Sequence, residues 1–265
     1  MAEITAALVK ALREETGQGM MECKKALQET HGDAEAAKDL LRSKGLATAA
    51  KKAERAISEG RVVIRISEDG QSASMTEIRC ETDFCAKNEV FVDMSESVAD
   101  MVMAVEGEGP VEATEEMTLA VQETFNKIGE NMSFSKGIKI AAPKIGTYLH
   151  HNGKVGVVVG IEGEVSDALL GDLCMHIAFA DPVGISTDDV PTELIEKEKA
   201  FAKQQAIDSG KPEEIAEKMV AGKIRKFLEG KALLEQPFVR DEKQKVKDVL
   251  GNAKVLTFAR FAIGQ

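Results

Sequence analysis

The spacing of apolar residues changes near Gly60, and this change constrains the fold of the 265-residue chain more than any other feature of its sequence. Before Gly60, apolar residues such as Ile4, Leu8 and Leu12 recur at the spacing of an amphipathic helix. After it, segments such as Ser72–Cys80 have the composition and bounding turn residues of β-strands. The chain therefore begins with helices and continues as a mixture of helices and strands.

Residues 4–45 are predicted to form three short helices. Thr5 is placed to cap the first helix, which ends at a Gly-rich loop beginning with Gly17. Asp33 is placed to cap the third helix, and Gly45 is expected to end it as the residue after its C-cap. A bundle of this size is near the lower limit for folding alone.

Two hairpin-plus-helix units and a helical hairpin are predicted after the bundle. The last predicted strand is apolar and is expected to return to the second sheet, which makes the helical hairpin an insertion. The predicted strands are residues 61–66, 72–80, 134–141, 145–150, 155–161 and 254–263, and the predicted helices lie near residues 91–105, 117–128, 169–177, 191–209, 213–228 and 241–250. Gly210-Lys211-Pro212 is the expected turn of the helical hairpin.

The sequence thus predicts an α+β fold with four parts. An N-terminal three-helix module and linker precede two α+β subdomains, and an antiparallel helical hairpin is inserted in the second. The predicted boundaries are 1–56 for the module and linker, 57–141 for the first subdomain, 142–186 with 229–265 for the second, and 187–228 for the hairpin.

The acidic excess lies in one segment. The formal charge of the chain is −11, and residues 81–130 alone contain 13 acidic and 2 basic residues. Most of these acidic residues fall outside the apolar stripes, so solvated helix faces explain most of the charge. Such a segment disfavours DNA or RNA as a direct partner.

Several function classes lack their sequence signals. We find no phosphate-binding loop, dinucleotide fingerprint, nucleophile elbow or zinc-protease motif, so the chain is not expected to bind a nucleotide or a cofactor itself. Cys80 and Cys85 are at the upper limit of zinc-ligand spacing, but the other cysteines are scattered and supply no second ligand pair. His150 and His151 are expected to diverge at a strand end. No metal site is therefore predicted.

The cellular location follows from the same kind of argument. No apolar run approaches the length of a membrane span, and the N-terminus lacks the features of a secretory signal. The cysteines are scattered as in a reduced cytosolic protein. We expect a cytoplasmic protein that does not interact with membranes.

The segment Thr82-Asp83-Phe84-Cys85 has two interpretations. In the first, Thr82 or Asp83 caps a helix and Phe84 folds inward as a core anchor. In the second, Phe84 is an exposed wedge beside the charge of Asp83, which is the form of an interface hot spot. Between the strand ending at Cys80 and the next helix, these residues are expected to form a tight loop.

Met20 and Met21 have the same ambiguity. They open a helix directly after a glycine-flanked loop, with Lys24 one turn further on. Methionine usually fills cores, but two successive methionines cannot both face the core of so small a bundle. One of them is expected on the surface, where a methionine beside a lysine suits protein docking.

Two motifs resemble those of the bacterial elongation factor Ts family, the nucleotide-exchange partners of elongation factor Tu. The first covers residues 12–27 and includes Thr16-Gly17-Gln18-Gly19-Met20-Met21, and the second is Glu81-Thr82-Asp83-Phe84-Cys85-Ala86-Lys87. The resemblance to this family runs along the whole chain and includes the segments 210–219 and 236–238. The family usually has Val at the position of Cys85 and Asn at that of Arg79, and these departures bear on the strength of exchange and not on its existence.

The resemblance implies a function and a set of contacts. The chain would bind elongation factor Tu with GDP and in the nucleotide-free state, and would promote GDP release without catalytic chemistry of its own. Thr82, Asp83, Phe84 and Cys85 would enter near the partner's bound Mg²⁺ and dislocate it. The N-terminal module would be similar to ubiquitin-associated domains and would dock on the partner's nucleotide-binding domain. The second subdomain would contact another domain. The predicted docking residues are Met20, Met21, Lys24 and His150. The helical hairpin is a candidate for self-association.

Two other function classes stay open. One is an enzyme that uses the carboxylates of Glu81 and Asp83, although no histidine or metal set lies near them in sequence. The other is a non-enzymatic interaction module, supported by the N-terminal bundle, which acts on a different GTPase or a ribosomal partner.

Overall fold

Side-chain caps set the starts of the first and third N-terminal helices in the computed structural model, which describes residues 4–208 and 213–264. The Thr5 hydroxyl accepts a hydrogen bond from the Leu8 N–H at 3.3 Å, and Asp33 accepts one from the Ala36 N–H at 3.1 Å. Gly17 ends the first helix with a φ of 67°. These helices are α1 (Ala6–Thr16), α2 (Met20–Glu29) and α3 (Ala34–Lys52). Both predicted caps are confirmed.

The predicted end of α3 at Gly45 is wrong, because the helix continues to Lys52. Gly45 lies where α3 crosses a later helix at Asn126, and a Cβ atom on Gly45 would stand only 2.7 Å from Asn126 Cγ. The glycine therefore permits a close approach between helices and does not terminate one. Sequence alone does not distinguish these two uses of glycine.

The chain divides into two compact units. The first contains the residues up to Arg65, Ser74–Lys139 and the residues from Ala262 onward, and the second contains Ile66–Ala73 and Ile140–Phe261. The α+β class with N-terminal helices and an inserted helical hairpin is confirmed. The finer predicted boundaries at residues 56, 141, 186 and 228 stay predictions.

In the first unit, a four-stranded sheet packs against helices on an apolar core. The sheet order is β1-β2-β4-β3, and β3 pairs antiparallel with β4 with Gly109 opposite Lys139. Phe91, Val98 and Met117 are buried in this core. The elements are β1 (Glu59–Ile66), β2 (Ser72–Cys80), α4 (Asp83–Lys87), α5 (Glu89–Ala104), β3 (Gly109–Val111), α6 (Glu115–Ile128) and β4 (Met132–Ala141). The short strand β3 was not predicted.

In the second unit, a three-stranded sheet of order β5-β6-β9 carries the second core. The prediction that the last strand returns to this sheet is confirmed, and the register of β5 with β6 places Tyr148 opposite Val157. The elements are β5 (Lys144–Leu149), β6 (Val155–Glu162), α7 (Asp167–Ala180), α8 (Thr192–Asp208), α9 (Glu213–Lys231), β7 (Pro237–Phe238), β8 (Asp241–Lys245), α10 (Val246–Leu250) and β9 (Lys254–Ala262).

The predicted helix over residues 241–250 is half wrong. Its first half is strand β8, which pairs with β7 so that Phe238 lies opposite Asp241. Asp241–Lys245 consists of residues that are common on helix surfaces, but the cross-strand pairing overrides that preference. Only Val246–Leu250 is helical.

The helical hairpin consists of α8 and α9, which pack side by side through buried Ala202 and Ala206. Lys223 of α9 donates a hydrogen bond to Gln205 of α8. The predicted turn at residues 210–212 lies outside the described residues. None of the helices in residues 4–208 and 213–264 combines the length and apolar character that crossing a membrane requires.

A buried histidine fixes the base of this hairpin. His176 accepts a hydrogen bond from the Val239 N–H at its Nδ1 atom, so its Nε2 atom donates to Gln236 Oε1 at 2.9 Å. The Gln236 amide in turn donates to the carbonyl oxygens of Ala180 and Gly230. Burial lowers the pKa of His176 and favours this neutral form. The network joins the ends of α7 and α9.

Replacing Gly45 by Ala tests the close approach of α3 to Asn126. In a helix, Ala is favoured over Gly by about 1 kcal/mol, but here the new methyl group overlaps the Asn126 carboxamide. The Asn126 side chain must rotate away, so we expect Gly45→Ala to raise the thermal unfolding midpoint less in the parent chain than in an Asn126→Ala background. Gly222→Ala is the control, because nothing lies within 4 Å of a Cβ atom at that helical position. A gain from Gly45→Ala in the parent chain that equals the gain from Gly222→Ala would contradict the packing interpretation.

Candidate functional site

The Thr82–Cys85 segment forms the first turn of helix α4 and is not the predicted loop. Strand β2 ends at Cys80, and the backbone at Thr82 is extended with φ −126° and ψ 156°. The Thr82 hydroxyl oxygen accepts a hydrogen bond from the Cys85 N–H at 3.2 Å. Thr82 is therefore the N-cap of α4, and we call Thr82–Cys85 the exchange turn.

A carboxylate from the end of α6 holds the exchange turn. Glu130 accepts a hydrogen bond from the Thr82 N–H at 3.2 Å and another from the Thr82 hydroxyl at 3.0 Å. The hydroxyl thus donates to Glu130 while it accepts from Cys85, so both of its hydrogen-bonding roles are used. Glu130 was not predicted as a site residue, because nothing in its local sequence separates it from the other acidic residues of its segment.

Phe84 projects into solvent from this fixed turn. Its side chain is 81% exposed, whereas Cys85 and Ala86 directly after it are buried in the first core. The interpretation of Phe84 as a core anchor is therefore wrong, and the exposed position expected of a wedge is observed. The interpretation that buried Phe84 also predicted a helix cap at Thr82 or Asp83, and this cap is present at Thr82. The turn combines a buried side that anchors it with one large apolar group on the outside.

The charge of Asp83 is shared with Lys87. Asp83 Oδ2 lies 2.8 Å from Lys87 Nζ, one helical turn further along. Asp83 raises the pKa of Lys87 through this hydrogen bond, so the lysine stays protonated. Both side chains are partly exposed, so the pair presents a dipole beside Phe84 and not a lone carboxylate.

Two cysteine thiols lie beneath the exchange turn. Cys80 and Cys85 are both buried, and the Cys80 thiol donates a hydrogen bond to the Thr82 carbonyl oxygen at 3.3 Å. A hydrogen bond with the Cys85 thiol, together with burial, raises the pKa of Cys80 far above its usual range. Cys80 is therefore a neutral packing residue and not a nucleophile.

Met20 and Met21 are both exposed at the start of α2. Their side chains are 44% and 62% exposed, so both methionines reach the surface where one was expected. Lys24 is exposed one turn further on, while Cys23 between them is fully buried. We call Met20, Met21 and Lys24 the docking patch. Its position on the bundle follows from the helical period around buried Cys23.

His150 lies at the turn after β5 in the second unit. Its Nδ1 atom is 2.7 Å from the Tyr148 hydroxyl, and its ring centroid is 4.2 Å from that of His151. The expectation that the two histidines diverge is wrong, because the turn that ends at Gly153 curls the backbone and brings the rings together. Within the described part of the chain, no three His, Cys, Asp or Glu side chains come close enough to hold a metal ion.

Comparisons with known proteins agree on one family. A sequence profile of the family described as Elongation factor TS matches residues 81–265. A curated relative named Elongation factor Ts from Halorhodospira halophila is 46% identical over 272 residues, which cover 99% of this chain and 92% of the relative. The relative of that name from Alkalilimnicola ehrlichii is 44% identical over 273 residues with the same coverage. The relative of that name from Aquifex aeolicus is 39% identical over 279 residues, covering 97% of this chain and 96% of its own.

Replacing Thr82 by Val tests the double role of its hydroxyl group. The substitution removes the cap of α4 and one donor to Glu130, so we expect the free energy of unfolding to fall by about 2 kcal/mol or more. Thr114→Val is the matched control, because Thr114 caps α6 through a similar 3.2 Å bond to the Met117 N–H. It should cost about 1 kcal/mol, the usual value of a cap. Equal losses for the two variants in urea unfolding would contradict the role of Glu130.

Proposed function

Because the chain belongs to the elongation factor Ts family, we propose that it binds elongation factor Tu carrying GDP and accelerates the release of that GDP. Family membership makes the chain a translation elongation factor. The observation that carries the finer proposal is the exposed Phe84 on a turn whose backbone is held from below. A rigid turn loses little conformational entropy when it enters a partner, so more of its contact energy remains for displacing groups there.

We propose that the exchange turn acts on the partner's Mg²⁺ and phosphate site. Mg²⁺ bridges and neutralises nucleotide phosphates, so moving it loosens the nucleotide without contact to the base. Phe84 would insert between partner side chains, and the Asp83–Lys87 pair would lie beside the displaced ion. Thr82 and Cys85 would hold Phe84 in place from the turn itself.

The docking patch would supply affinity at a second place. Met20 and Met21 offer flexible apolar surface, and Lys24 adds a charge that favours an acidic surface on the nucleotide-binding domain of elongation factor Tu. His150 would contact another domain of the partner from the second unit. The helical hairpin of α8 and α9 has no assigned contact, and its self-association stays a prediction.

Thermodynamic linkage fixes what an exchange factor must do. If the chain binds nucleotide-free elongation factor Tu more tightly than the GDP form, binding of the chain must lower the affinity of elongation factor Tu for GDP by the same factor. Every ~1.4 kcal/mol of this coupling corresponds to a tenfold change in affinity. Exchange therefore needs only differential binding, and neither a cofactor nor an acid–base step is required.

The carboxylates that an enzyme would need are already engaged. Glu81 contacts Arg55 at 3.3 Å and the Asn131 N–H at 2.6 Å, and Asp83 is paired with Lys87. A general acid or base must instead be available to a substrate proton. These contacts favour exchange without catalysis over the carboxylate-enzyme alternative.

Replacing Phe84 by Ala tests the wedge. We expect Phe84→Ala to slow stimulated release of fluorescent GDP from elongation factor Tu by about 30-fold, the factor that an interface hot spot of ~2 kcal/mol represents. Asp83→Ala should slow release less, because Lys87 shares its charge. Phe201→Ala is the control, since Phe201 is 59% exposed on α8 and has no proposed role in exchange.

Parent-like release by both the Phe84→Ala and Asp83→Ala variants would reject the wedge. If the parent chain itself leaves the release rate unchanged, the proposed function fails. The remaining interpretation is then an interaction module for a different GTPase or a ribosomal partner.

Replacing Met21 by Ala tests the docking patch. We expect the affinity for elongation factor Tu to fall by about tenfold, the order expected for losing most of one buried apolar side chain. GDP release at saturating concentrations should stay close to the parent rate, because the exchange turn is intact. Titration calorimetry gives the affinity, and Ile207→Ala, at a position 70% exposed on α8, is the control. An unchanged affinity of the Met21→Ala variant would reject the patch.

A further inference from the structure

Glu81 lies directly before the exchange turn and bridges two distant parts of the chain. One carboxylate oxygen accepts a hydrogen bond from the Asn131 N–H at 2.6 Å, and the other lies 3.3 Å from the Arg55 guanidinium. The Glu81 side chain is only 17% exposed. Its two contacts fix the backbone at the point where β2 leads into the turn.

The Asn131 side chain reaches the end of the three-helix module. Its amide group donates hydrogen bonds to the Arg55 carbonyl oxygen at 2.9 Å and to the Ala53 carbonyl oxygen at 3.4 Å. Ala53 is the residue directly after α3. One asparagine thus bonds to the carboxylate before the exchange turn and to the backbone that leaves the module.

The two residues before Asn131 contact the same two regions of the chain. Gly129 ends α6 with a φ of 80°, and its carbonyl oxygen accepts a hydrogen bond from Lys52, the last residue of α3. The Lys52 ammonium also lies 5.7 Å from the centre of the Phe125 ring. Glu130 holds Thr82. Three consecutive residues therefore hold the end of the module on one side and the exchange turn on the other.

We propose that Gly129–Asn131 is a coupling joint that fixes the docking patch and the exchange turn relative to each other, with Asn131 as a positioning residue for nucleotide exchange. The inference rests on the proposed function. After the docking patch binds, the rate of exchange depends on the effective concentration of Phe84 at its target. A rigid joint raises that concentration, and a loosened joint lowers it without altering the docking contact.

The test is the concentration dependence of stimulated release of fluorescent GDP from elongation factor Tu. Asn131→Ala should lower the maximal release rate about fivefold, the factor that ~1 kcal/mol of lost hydrogen bonding represents. The half-saturating concentration should stay within about twofold of the parent value, because the docking patch is unchanged. Asn131→Asp keeps the shape but loses the amide donors, so it should behave like Asn131→Ala.

A structural control separates positioning from simple destabilisation. Lys139 also donates two hydrogen bonds from its side chain to carbonyl oxygens in the first unit, to Met103 at 2.8 Å and to Val105 at 2.7 Å. Lys139→Met should therefore lower thermal stability without lowering the maximal release rate. In a Phe84→Ala background, Asn131→Ala should have little further effect, because it acts through the turn.

The outcomes are distinct. A maximal rate of Asn131→Ala equal to that of the parent, or effects of Asn131→Ala and Phe84→Ala that multiply, would overturn the coupling joint. If Asn131→Ala does not fold, Lys52→Met decides, because it removes the hydrogen bond from the end of α3 to the Gly129 carbonyl oxygen. A parent-like maximal rate in that variant also overturns the joint. A parent chain that releases no GDP would instead reject the proposed function itself.

Discussion

The bidentate hold of Glu130 on Thr82 is the interaction on which the rest of the site depends. One carboxylate binds both the N–H and the hydroxyl group of Thr82, and the same hydroxyl caps α4. Buried Cys85 and Ala86 anchor the other side of the turn in the first core. These contacts fix the backbone on both sides of Phe84, whose large apolar side chain is exposed at the surface of the protein. Without Glu130, the turn would lose the charge-assisted hydrogen bonds that fix the backbone at Thr82.

The acidic segment has a more specific meaning than its net charge suggests. Glu81 and Glu130 are structural residues that accept hydrogen bonds from the backbone and from Thr82, and Asp83 is paired with Lys87. Other acids of the segment lie on helix surfaces, and Asp100 on α5 is paired with Arg65 of β1. The carboxylates around the exchange turn therefore have structural roles, because each is already bonded within the protein. A partner that approaches Phe84 meets a compact dipole and not an open cluster of negative charge.

The sequence was most informative where local rules decide the structure. Thr5 and Asp33 cap helices as predicted, and the apolar stripe of α5 through Phe91 and Val98 packs in the core. It was least informative where residues distant in sequence decide. Gly45 has the pattern of a helix end but serves a close approach to Asn126, and Asp241–Lys245 is a strand only because β7 pairs with it. At the site, the motif pointed to Thr82–Cys85, whose role stays a prediction, but the carboxylate that holds this turn comes from Glu130, 48 residues after Thr82. No local pattern marks a contact of that separation.

Differential binding is the central claim, and equilibrium titration of the chain against elongation factor Tu tests it most directly. The affinity is measured once with nucleotide-free partner and once with partner saturated with GDP. We predict tighter binding to the nucleotide-free form, and a loss of GDP affinity in the presence of the chain by the same factor, as linkage requires. Equal affinities for the two forms would contradict the proposal, because a protein that binds both equally cannot shift the nucleotide equilibrium.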